Sequence, residues 1–389
     1  MKIMVSIPIL LLFLQAVVAT PEIAWRFSSD SCLSPPCVYE MLVFTGSDEG
    51  RLFAIYAHSG KIRWSKQMDG KILASAACEG RVFVSTSEGI VCLSADHGDL
   101  LWRFEVKDPG RRALVVGGNS IFIISHEGYV VSLGFDGILR WEENLNEIVV
   151  TQPILLGDSL VIATFGGNLV FLDISNGAWR KTISIGRFCP VIFDFTIEEN
   201  VAYLCSDNSL FAVSTNSGEV LWMRDLGCVT KPLVFKEGIC VGTSKGLVFL
   251  NKETGETIWS TETKGKPFFV ISETETLLVG TRTGFKNYDA NGNLIWEMNV
   301  GAAIYPPVLL YGKIFALVSQ KEILCIGSWG EVGETGKGMG YVYLAIAVAC
   351  SFLFVLLDVL LPEKRIIRKK RVVKKAKCSK RKSGGVAGI

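Results

Sequence analysis

The segment NSGEVLWMRD, Asn216–Asp225, joins a glycine turn to a short apolar run that contains a tryptophan. Near-copies recur along the chain: HSGKIRW, DHGDLLW and ETGETIW all end at a tryptophan. Neighbouring members of one set of eight tryptophans are 37 to 43 residues apart: Trp25, Trp64, Trp102, Trp141, Trp179, Trp222, Trp259 and Trp296. A fixed period in this range predicts one supersecondary unit that is repeated and stacked on its own copies.

The repeat that ends at Trp259 shows what the unit is. Its sequence, ICVGTSKGLVFLNKETGETIW, has apolar runs at 239–242 and 247–250 and a third that reaches Trp259, with turns at 244–246 and 253–255 between them. Glycine supplies the positive φ that tight turns need, and Val, Ile, Leu and Phe suit half-buried strands. The preceding CVTKPLVF adds a fourth strand. Four short antiparallel strands in about 40 residues are typical of a β-propeller blade.

The two ends of the repeat region decide the number of blades. Residues after Trp296 supply three strands, in AAIYPPVLL, KIFALVS and EILCIGS, and the segment EIAWRFS at 22–28 supplies one strand without a blade of its own. Pairing them completes a blade and removes two exposed sheet edges. We therefore predict an all-β, eight-bladed propeller, with seven blades as the alternative if the terminal strands pair differently.

The repeat resembles the PQQ-like (quinoprotein-type) propeller repeat over about 22–327, as in GRLFAIYAHSGKIRW and NSLFAVSTNSGEVLW. In that family the repeat tryptophan packs on the next blade, so the resemblance implies this structural role for the eight tryptophans above. One repeat, GGNLVFLDISNGAWR, lacks the residues between Gly177 and Trp179 that the others have. We expect a shortened turn there.

The flanks predict a membrane protein. Residues 1–20 are typical of a secretory signal peptide, the alternative being a first core strand. The propeller follows at 21–328 and a glycine-rich linker at 329–340. Residues 341–361 have the length and apolarity of a transmembrane helix, with Asp358 near its far end. The tail, 362–389, contains twelve Lys or Arg and one acid, which predicts a cytoplasmic tail and a single-pass type I orientation.

The small net charge of +2 hides two regions of opposite sign. Once the tail, Lys2 and Asp358 are set aside, acidic residues outnumber basic ones by 36 to 27. Phosphate binding requires a basic surface, so we expect no nucleic-acid partner for the propeller. The tail has the charge to lie against anionic lipid, as a by-product of its topology signal.

Nine of the eleven cysteines precede the transmembrane segment. Cys32 and Cys37 bracket the proline-containing loop CLSPPC and are the best disulfide candidate. The pairs Cys189 with Cys205 and Cys228 with Cys240 are placed on successive strands of one blade and are also candidates. Free cysteines that act as small apolar residues are the alternative.

No catalytic, cofactor or metal site is predicted. Quinoprotein dehydrogenases hold their cofactor with an adjacent-cysteine disulfide and a calcium ion, and this chain has no Cys-Cys pair and no C-x-x-C-H haem motif. Its three histidines, His58, His97 and His126, fall in turns of separate repeats, without metal-ligand spacing. We expect neither an enzyme nor a small-molecule substrate.

A binding surface remains, because the loops of a rigid propeller are suited to recognition. The bacterial outer-membrane assembly propellers share the repeat, and the lumenal sensor domains of unfolded-protein kinases share the layout, but no kinase follows here. The layout resembles plant gamete-expressed membrane propellers, which implies protein recognition or guidance at the plasma membrane, as in fertilization. Two alternatives stay open: a scaffold or sensor subunit in the endoplasmic reticulum membrane, and a quinone-dependent dehydrogenase.

Overall fold

The computed structural model describes residues 21–106, 112–149, 151–185, 194–206, 209–263, 265–273 and 275–327. The predicted signal peptide, linker, transmembrane helix and tail lie outside these ranges, as does Cys189. In the described part the chain forms eight four-stranded antiparallel sheets. No helix among these residues is long and apolar enough to cross a membrane.

Each sheet is one blade, and blade 8 takes its fourth strand from the start of the chain. The first strands are β2 (Cys37–Tyr39), β6 (Ile72–Cys78), β10 (Arg112–Gly117), β14 (Ile154–Leu156), β18 (Asp194–Glu198), β22 (Leu233–Phe235), β26 (Phe269–Glu273) and β30 (Val308–Leu310). The second strands are β3 (Leu42–Gly46), β7 (Arg81–Thr86), β11 (Ser120–Ser125), β15 (Ser159–Ala163), β19 (Val201–Ser206), β23 (Gly238–Gly242), β27 (Thr276–Gly280) and β31 (Lys313–Val318). The third strands are β4 (Arg51–Tyr56), β8 (Gly89–Ser94), β12 (Tyr129–Gly134), β16 (Asn168–Asp173), β20 (Ser209–Ser214), β24 (Gly246–Asn251), β28 (Gly284–Tyr288) and β32 (Glu322–Ile326). The fourth strands are β5 (Ile62–Gln67), β9 (Leu100–Glu105), β13 (Leu139–Asn144), β17 (Trp179–Ser184), β21 (Val220–Asp225), β25 (Thr257–Glu262), β29 (Leu294–Asn299) and, for blade 8, β1 (Ile23–Ser28).

The chain closes into a ring by pairing its two ends. Strand β1 pairs with β32, with Trp25 opposite Cys325 and Phe27 opposite Ile323. The Phe27 ring then meets Phe53 of blade 1 edge-on, with the ring centroids 5.2 Å apart. The eight-bladed prediction and the shared blade are therefore confirmed, and the seven-bladed alternative is excluded.

The first strands form the inner wall of the ring, because neighbouring first strands contact each other, as β2 does β30 and β6. The core lies between blades. One buried cluster, for example, joins Phe171 of blade 4 to Phe195 and Phe211 of blade 5. A single blade has two apolar faces and no core of its own, so each blade is stabilised by its neighbours.

Antiparallel order divides the connections between two faces of the ring. Turns from the first to the second strand and from the third to the fourth leave the sheets at one end, which we call the turn face. The second-to-third turns and the connections between blades lie at the opposite end, the loop face. Backbone hydrogen bonds join neighbours on each face, such as Ala57 N to the Met41 carbonyl and Phe165 N to the Ile148 carbonyl.

Candidate functional site

Six of the eight repeat tryptophans bridge to the following blade in the same way. Each indole Nε1 donates a hydrogen bond to a carbonyl in the next third-to-fourth turn, at 2.7 to 3.0 Å: Trp25 to Ala57, Trp64 to Ala95, Trp102 to Phe135, Trp141 to Ile174, Trp222 to Lys252 and Trp259 to Ala290. Trp296 is buried in the cluster between blades 7 and 8. The indole also lies against the turn glycine: a Cβ on Gly255 would come within 2.7 Å of the Trp222 ring.

Blade 4 departs from this pattern, and the residue in the docking position is Lys181. Lys181 is the cross-strand partner of Phe171, as Trp259 is of Phe249 in blade 6. Its Nζ donates to the Thr215 carbonyl in the next blade at 2.7 Å and lies 4.4 Å from the centroid of the Phe171 ring. An ammonium group thus takes over the hydrogen bond that an indole makes elsewhere.

Trp179 is displaced from the position that the repeat pattern implied for it. It is the first residue of β17, pairs with Leu172 and is 47% exposed. The expectation of a shortened turn is wrong, because Gly177 N donates to the Asp173 carbonyl just as Gly60 N donates to the Tyr56 carbonyl in blade 1. The docking tryptophans from Trp64 onward come four residues after the glycine of their own turn, whereas Trp179 comes two after Gly177. Trp179 therefore stands at the outer start of its strand, the position that Ile62 occupies in blade 1.

The structure does not contain the predicted disulfides at the described cysteines. Cys32 and Cys37 are unlinked, and the Cys37 thiol hydrogen-bonds to the Ser75 hydroxyl at 3.3 Å. Burial raises the pKa of Cys37 to about 12, so the thiolate is strongly disfavoured. Cys228 and Cys240 are also unlinked, because they belong to different core clusters, one shared with blade 5 and one with blade 7.

The histidines are spread around the ring. His58 and His97 lie in the turn-face connections of blades 1 and 2, and His126 lies in the loop-face turn of blade 3. The described residues contain no cluster of three His, Cys, Asp or Glu side chains that could hold a metal ion. Asp173 lies next to the Ser175 hydroxyl and the Arg180 guanidinium, and these hydrogen bonds hold the pKa of its carboxyl below its usual range. This carboxylate is therefore an anchor for its turn.

The loop face carries one apolar patch. Fifteen large apolar side chains are strongly exposed in the described part of the chain, and twelve of them lie on the outer strands or the turn face. The other three are on the loop face and all belong to blades 3 and 4: Tyr129, Ile148 and Phe165, which are 46%, 41% and 49% exposed. We call these residues the blade 3–4 patch. Exposed aromatic side chains on a rigid surface are the usual anchors of protein interfaces.

Hydrogen bonds on both sides hold the patch in place. Val149 N donates to the His126 carbonyl of blade 3, and Phe165 N of blade 4 donates to the Ile148 carbonyl. The His126 ring Nδ1 lies 2.9 Å from the Val149 carbonyl oxygen. The connection that carries Ile148 is therefore held between two turns, which fixes the exposed side chains before any partner arrives.

The Glu147 carboxylate makes a second set of hydrogen bonds next to the patch. It accepts hydrogen bonds from the Thr164 hydroxyl and from the Asn168 side-chain amide, the latter at 2.9 and 3.0 Å. Thr164 also accepts a hydrogen bond from Asn168 N, which closes the turn beside Phe165. The residues that position the patch are thus polar, while those that it exposes are apolar.

The two faces differ in charge. In the described turn-face connections thirteen acidic residues stand against three lysines, around the whole ring: Glu40, Glu79, Asp96, Asp99, Asp136, Asp158, Glu199, Glu219, Glu237, Glu253, Glu256, Glu275 and Asp289, with Lys61, Lys236 and Lys252. The loop face is divided. Its described connections from the entry to blade 1 through blade 4 contain seven acids and one lysine: Asp30, Asp48, Glu49, Asp69, Glu88, Glu127 and Glu147, with Lys71. The blade 3–4 patch lies in this acidic half.

Comparison with known proteins shows the family. A family profile described as outer membrane protein assembly factor BamB matches residues 14–92, 87–226 and 194–333, which together make up most of the chain. The chain belongs to this family. The assembly factor BamB of Shewanella oneidensis is 28% identical over 242 residues, 56% of this chain and 60% of the relative. That of Yersinia pestis is 24% identical over 271 residues, 62% of this chain and 67% of the relative.

Solved structures agree on the BamB-type propeller fold. BamB from Moraxella catarrhalis superposes with a TM-score of 0.69 and 16% identity, covering 79% of this chain and 100% of that one. A quinohemoprotein alcohol dehydrogenase from Comamonas testosteroni superposes with a TM-score of 0.63 and 11% identity, over 81% of this chain and 78% of that one. At these identities the likeness concerns the fold alone. These four relatives are bacterial, and the resemblance to plant gamete proteins has no counterpart among them.

Sequence reasoning missed two features of the site. The tryptophan pattern does not indicate Lys181, although Lys181 comes four residues after Gly177, at the spacing that the docking tryptophans have from their own turn glycines. The blade 3–4 patch was also missed, because Ile148 and Phe165 are 17 residues apart and look like ordinary apolar residues in the sequence. Only the hydrogen bond between two adjacent connections brings them together.

Proposed function

We propose that this protein is a non-catalytic, protein-binding propeller that is held at a membrane and docks a protein partner through the blade 3–4 patch. The observation that carries the proposal is the patch itself: three exposed apolar side chains, fixed by hydrogen bonds, on a face where the described residues expose no other large apolar group to this degree. Burying a large apolar side chain contributes about 1.5–3 kcal/mol, so a pair of anchors is enough to matter for binding.

The surroundings of the patch indicate what kind of partner fits. Glu127 and Glu88 lie on the neighbouring turns of the acidic half and are exposed. A partner with apolar side chains flanked by lysine or arginine would complement both features. The relatives are named as outer membrane protein assembly factors, which supports a docking role in a membrane-associated assembly over catalysis.

Site-specific photocrosslinking in cells tests the proposal. A photoreactive residue at position 165 should give a discrete protein adduct that is lost when Ile148→Ser is added. The matched control places the same residue at Leu221, which is equally exposed on the outer strand of blade 5, and should give no such adduct. Equal adducts at both positions, or an adduct that Ile148→Ser does not affect, would exclude the patch as the docking site.

The membrane arrangement is part of the proposal and has its own test. The apolar segment 341–361 followed by a basic tail supports a single-pass type I protein with the propeller outside the cytosol. In sealed microsomes a tag placed after Thr20 should be protected from protease, and one placed after Ile389 should be digested. Digestion of both tags, or protection of both, would contradict this topology.

Two versions of the membrane role are separated by location. A cell-surface receptor in recognition or guidance, including gamete recognition, requires the tagged protein to be labelled at the surface at native expression. A scaffold or sensor subunit requires it to stay in the endoplasmic reticulum. The fold is shared with a quinohemoprotein alcohol dehydrogenase, so the dehydrogenase alternative also needs a test. Because this chain has no Cys-Cys pair, we expect absorption spectra recorded after addition of the quinone cofactor to show no bound chromophore.

A further inference from the structure

The other half of the loop face is basic. The described connections from the entry to blade 6 through blade 8 contain five cations and no acid: Lys231, Lys245, Lys266, Arg282 and Lys321. All five are exposed. We call them the basic arc. In the described part of the chain none of these cations forms an ion pair with a carboxylate, whereas Lys71 in the acidic half is paired with Asp48 at 2.8 Å.

Carboxylates do approach the arc at its margins, where they limit its extent. Burial raises the pKa of Asp194, on the first strand of blade 5, and the positive charge of Lys231 opposes that rise. On the outer side, Asp225 and Glu262 end the fourth strands of blades 5 and 6 and line one cavity of about 340 Å³ together with Lys245. Blade 7 presents two of the five cations, Lys266 before its first strand and Arg282 in its second-to-third turn.

The division of charge favours a protein over a membrane as the occupant of the arc. A flat anionic bilayer that attracted the arc would also meet the seven acids on the other half of the same face, and like charges brought together cost energy. A protein can place charge of each sign where it is needed. Eight similar blades also present eight similar orientations to a partner, and a face with one acidic half and one basic half leaves a single favourable orientation.

We propose that the basic arc binds an acidic polypeptide segment of the partner, and that this second contact fixes the rotational orientation of the partner on the ring. The inference rests on the proposed protein-binding function, since it adds a second contact to a partner anchored at the blade 3–4 patch. Exposed charges act over about 10 Å at ~0.1 M salt and about 3 Å at ~1 M, so the contact is salt-dependent.

A direct binding assay on the full chain in neutral detergent tests the inference. The probe is a fluorescent peptide of alternating Glu and Gly, titrated at low and high salt and followed by anisotropy. The arc variant is Lys266→Glu with Arg282→Glu. The matched control, Lys61→Glu with Lys66→Glu, reverses the charge of two exposed lysines of blade 1. The net charge and the basic tail are therefore the same in both variants.

We expect the arc variant to bind the acidic peptide at least about tenfold more weakly than the control at low salt, with the difference lost at high salt. The charge-conserving variant Lys266→Arg with Arg282→Lys should bind like the unchanged protein. Equal weakening by the arc variant and the control would overturn the inference. So would displacement of the peptide by the soluble lipid headgroup glycerophosphoserine at an equal concentration of charge, which would assign the arc to lipid.

A further variant keeps this result separate from the proposed function. Phe165→Ser removes an anchor from the blade 3–4 patch, on the other half of the face, and should leave binding of the acidic peptide unchanged. If the arc binds the peptide and position 165 gives no adduct in cells, the proposed docking site fails while the arc stands. If the arc does not bind the peptide and position 165 does give an adduct, the inference about the arc fails while the proposed docking site stands.

Discussion

Two contacts between neighbouring blades show how differently one repeat can close the ring. Between blades 5 and 6, the Trp222 ring lies on Gly255 and donates to the Lys252 carbonyl. Between blades 4 and 5, Lys181 donates to the Thr215 carbonyl, and Gly218 meets only an Ile183 methyl group, 3.2 Å from where its Cβ would lie. Both contacts contain a hydrogen bond to a carbonyl of the third-to-fourth turn. Only the contact between blades 5 and 6 also buries an indole ring.

The comparison teaches that the carbonyl of the third-to-fourth turn needs a donor, whatever its chemistry. A buried carbonyl left without a hydrogen bond costs free energy, and an ammonium can satisfy it as an indole does. The apolar area that an indole buries has no counterpart in a lysine that remains largely exposed. We therefore expect the contact between blades 4 and 5 to contribute less to the free energy of unfolding.

The largest effect is expected from Trp222→Ala. Trp222 is 8% exposed and packs against Tyr203 and Leu250 in the core between blades 5 and 6. Truncating a large buried aromatic side chain lowers the free energy of unfolding by about 3–5 kcal/mol. Denaturant unfolding of the full chain in detergent, followed by circular dichroism, measures it. A loss under about 1 kcal/mol would show that the indole is not needed for blade docking.

The turn glycines give the next comparison. Gly255 and Gly218 both have positive φ, +67° and +75°, so alanine at either costs about 1–2 kcal/mol in backbone strain. At Gly255 the new Cβ would also come within 2.7 Å of the Trp222 ring, which must shift. We expect Gly255→Ala to cost about 2–4 kcal/mol and Gly218→Ala about 1–2 kcal/mol, because overpacking adds to the first. Equal unfolding midpoints for Gly255→Ala and Gly218→Ala would mean that the Trp222 ring moves aside without a measurable cost in stability.

A smaller effect is expected from Lys181→Ala. The change removes a hydrogen bond to the Thr215 carbonyl and a cation–π contact with Phe171, both at a largely exposed site. These interactions contribute about 1–2 kcal/mol together. Lys181→Met is the control, because it keeps an unbranched apolar stem and removes the positive charge together with the donor. If Lys181→Met were as stable as the unchanged protein, the hydrogen bond would not be what holds this contact.

The smallest effect is expected from Trp179→Ala, in spite of the repeat pattern. The side chain is 47% exposed at the start of an outer strand, and changes away from packed sites usually cost under about 1 kcal/mol. The same denaturant measurement compares the loss in free energy of unfolding for Trp179→Ala with that for Trp222→Ala. A loss comparable to that of Trp222→Ala would show that Trp179 docks on blade 5 in solution.

Much of the fold could be predicted because each repeat encodes its own hairpins. Glycine turns and alternating apolar residues specify four strands, and the unpaired terminal strands could satisfy their hydrogen bonds only in a shared blade. The prediction for Trp179 followed the residue type and ignored the distance from Gly177, so it missed the position that Lys181 occupies. Disulfides proposed from strand order failed at Cys228 and Cys240, because cysteines close in sequence can face opposite sides of one sheet.

The sequence by itself determined the eight blades, their order and the closure of the ring, because these depend on local turns and on a repeat of fixed length. The tertiary structure alone decided which residues share a surface. From blade 6 to blade 8, acidic residues of the turn face alternate along the chain with basic residues of the loop face, so the sequence shows no block of either charge there. Antiparallel strands send successive turns to opposite ends of the sheet. That sorting produces one acidic face and one face divided into an acidic half, with its apolar patch, and a basic arc.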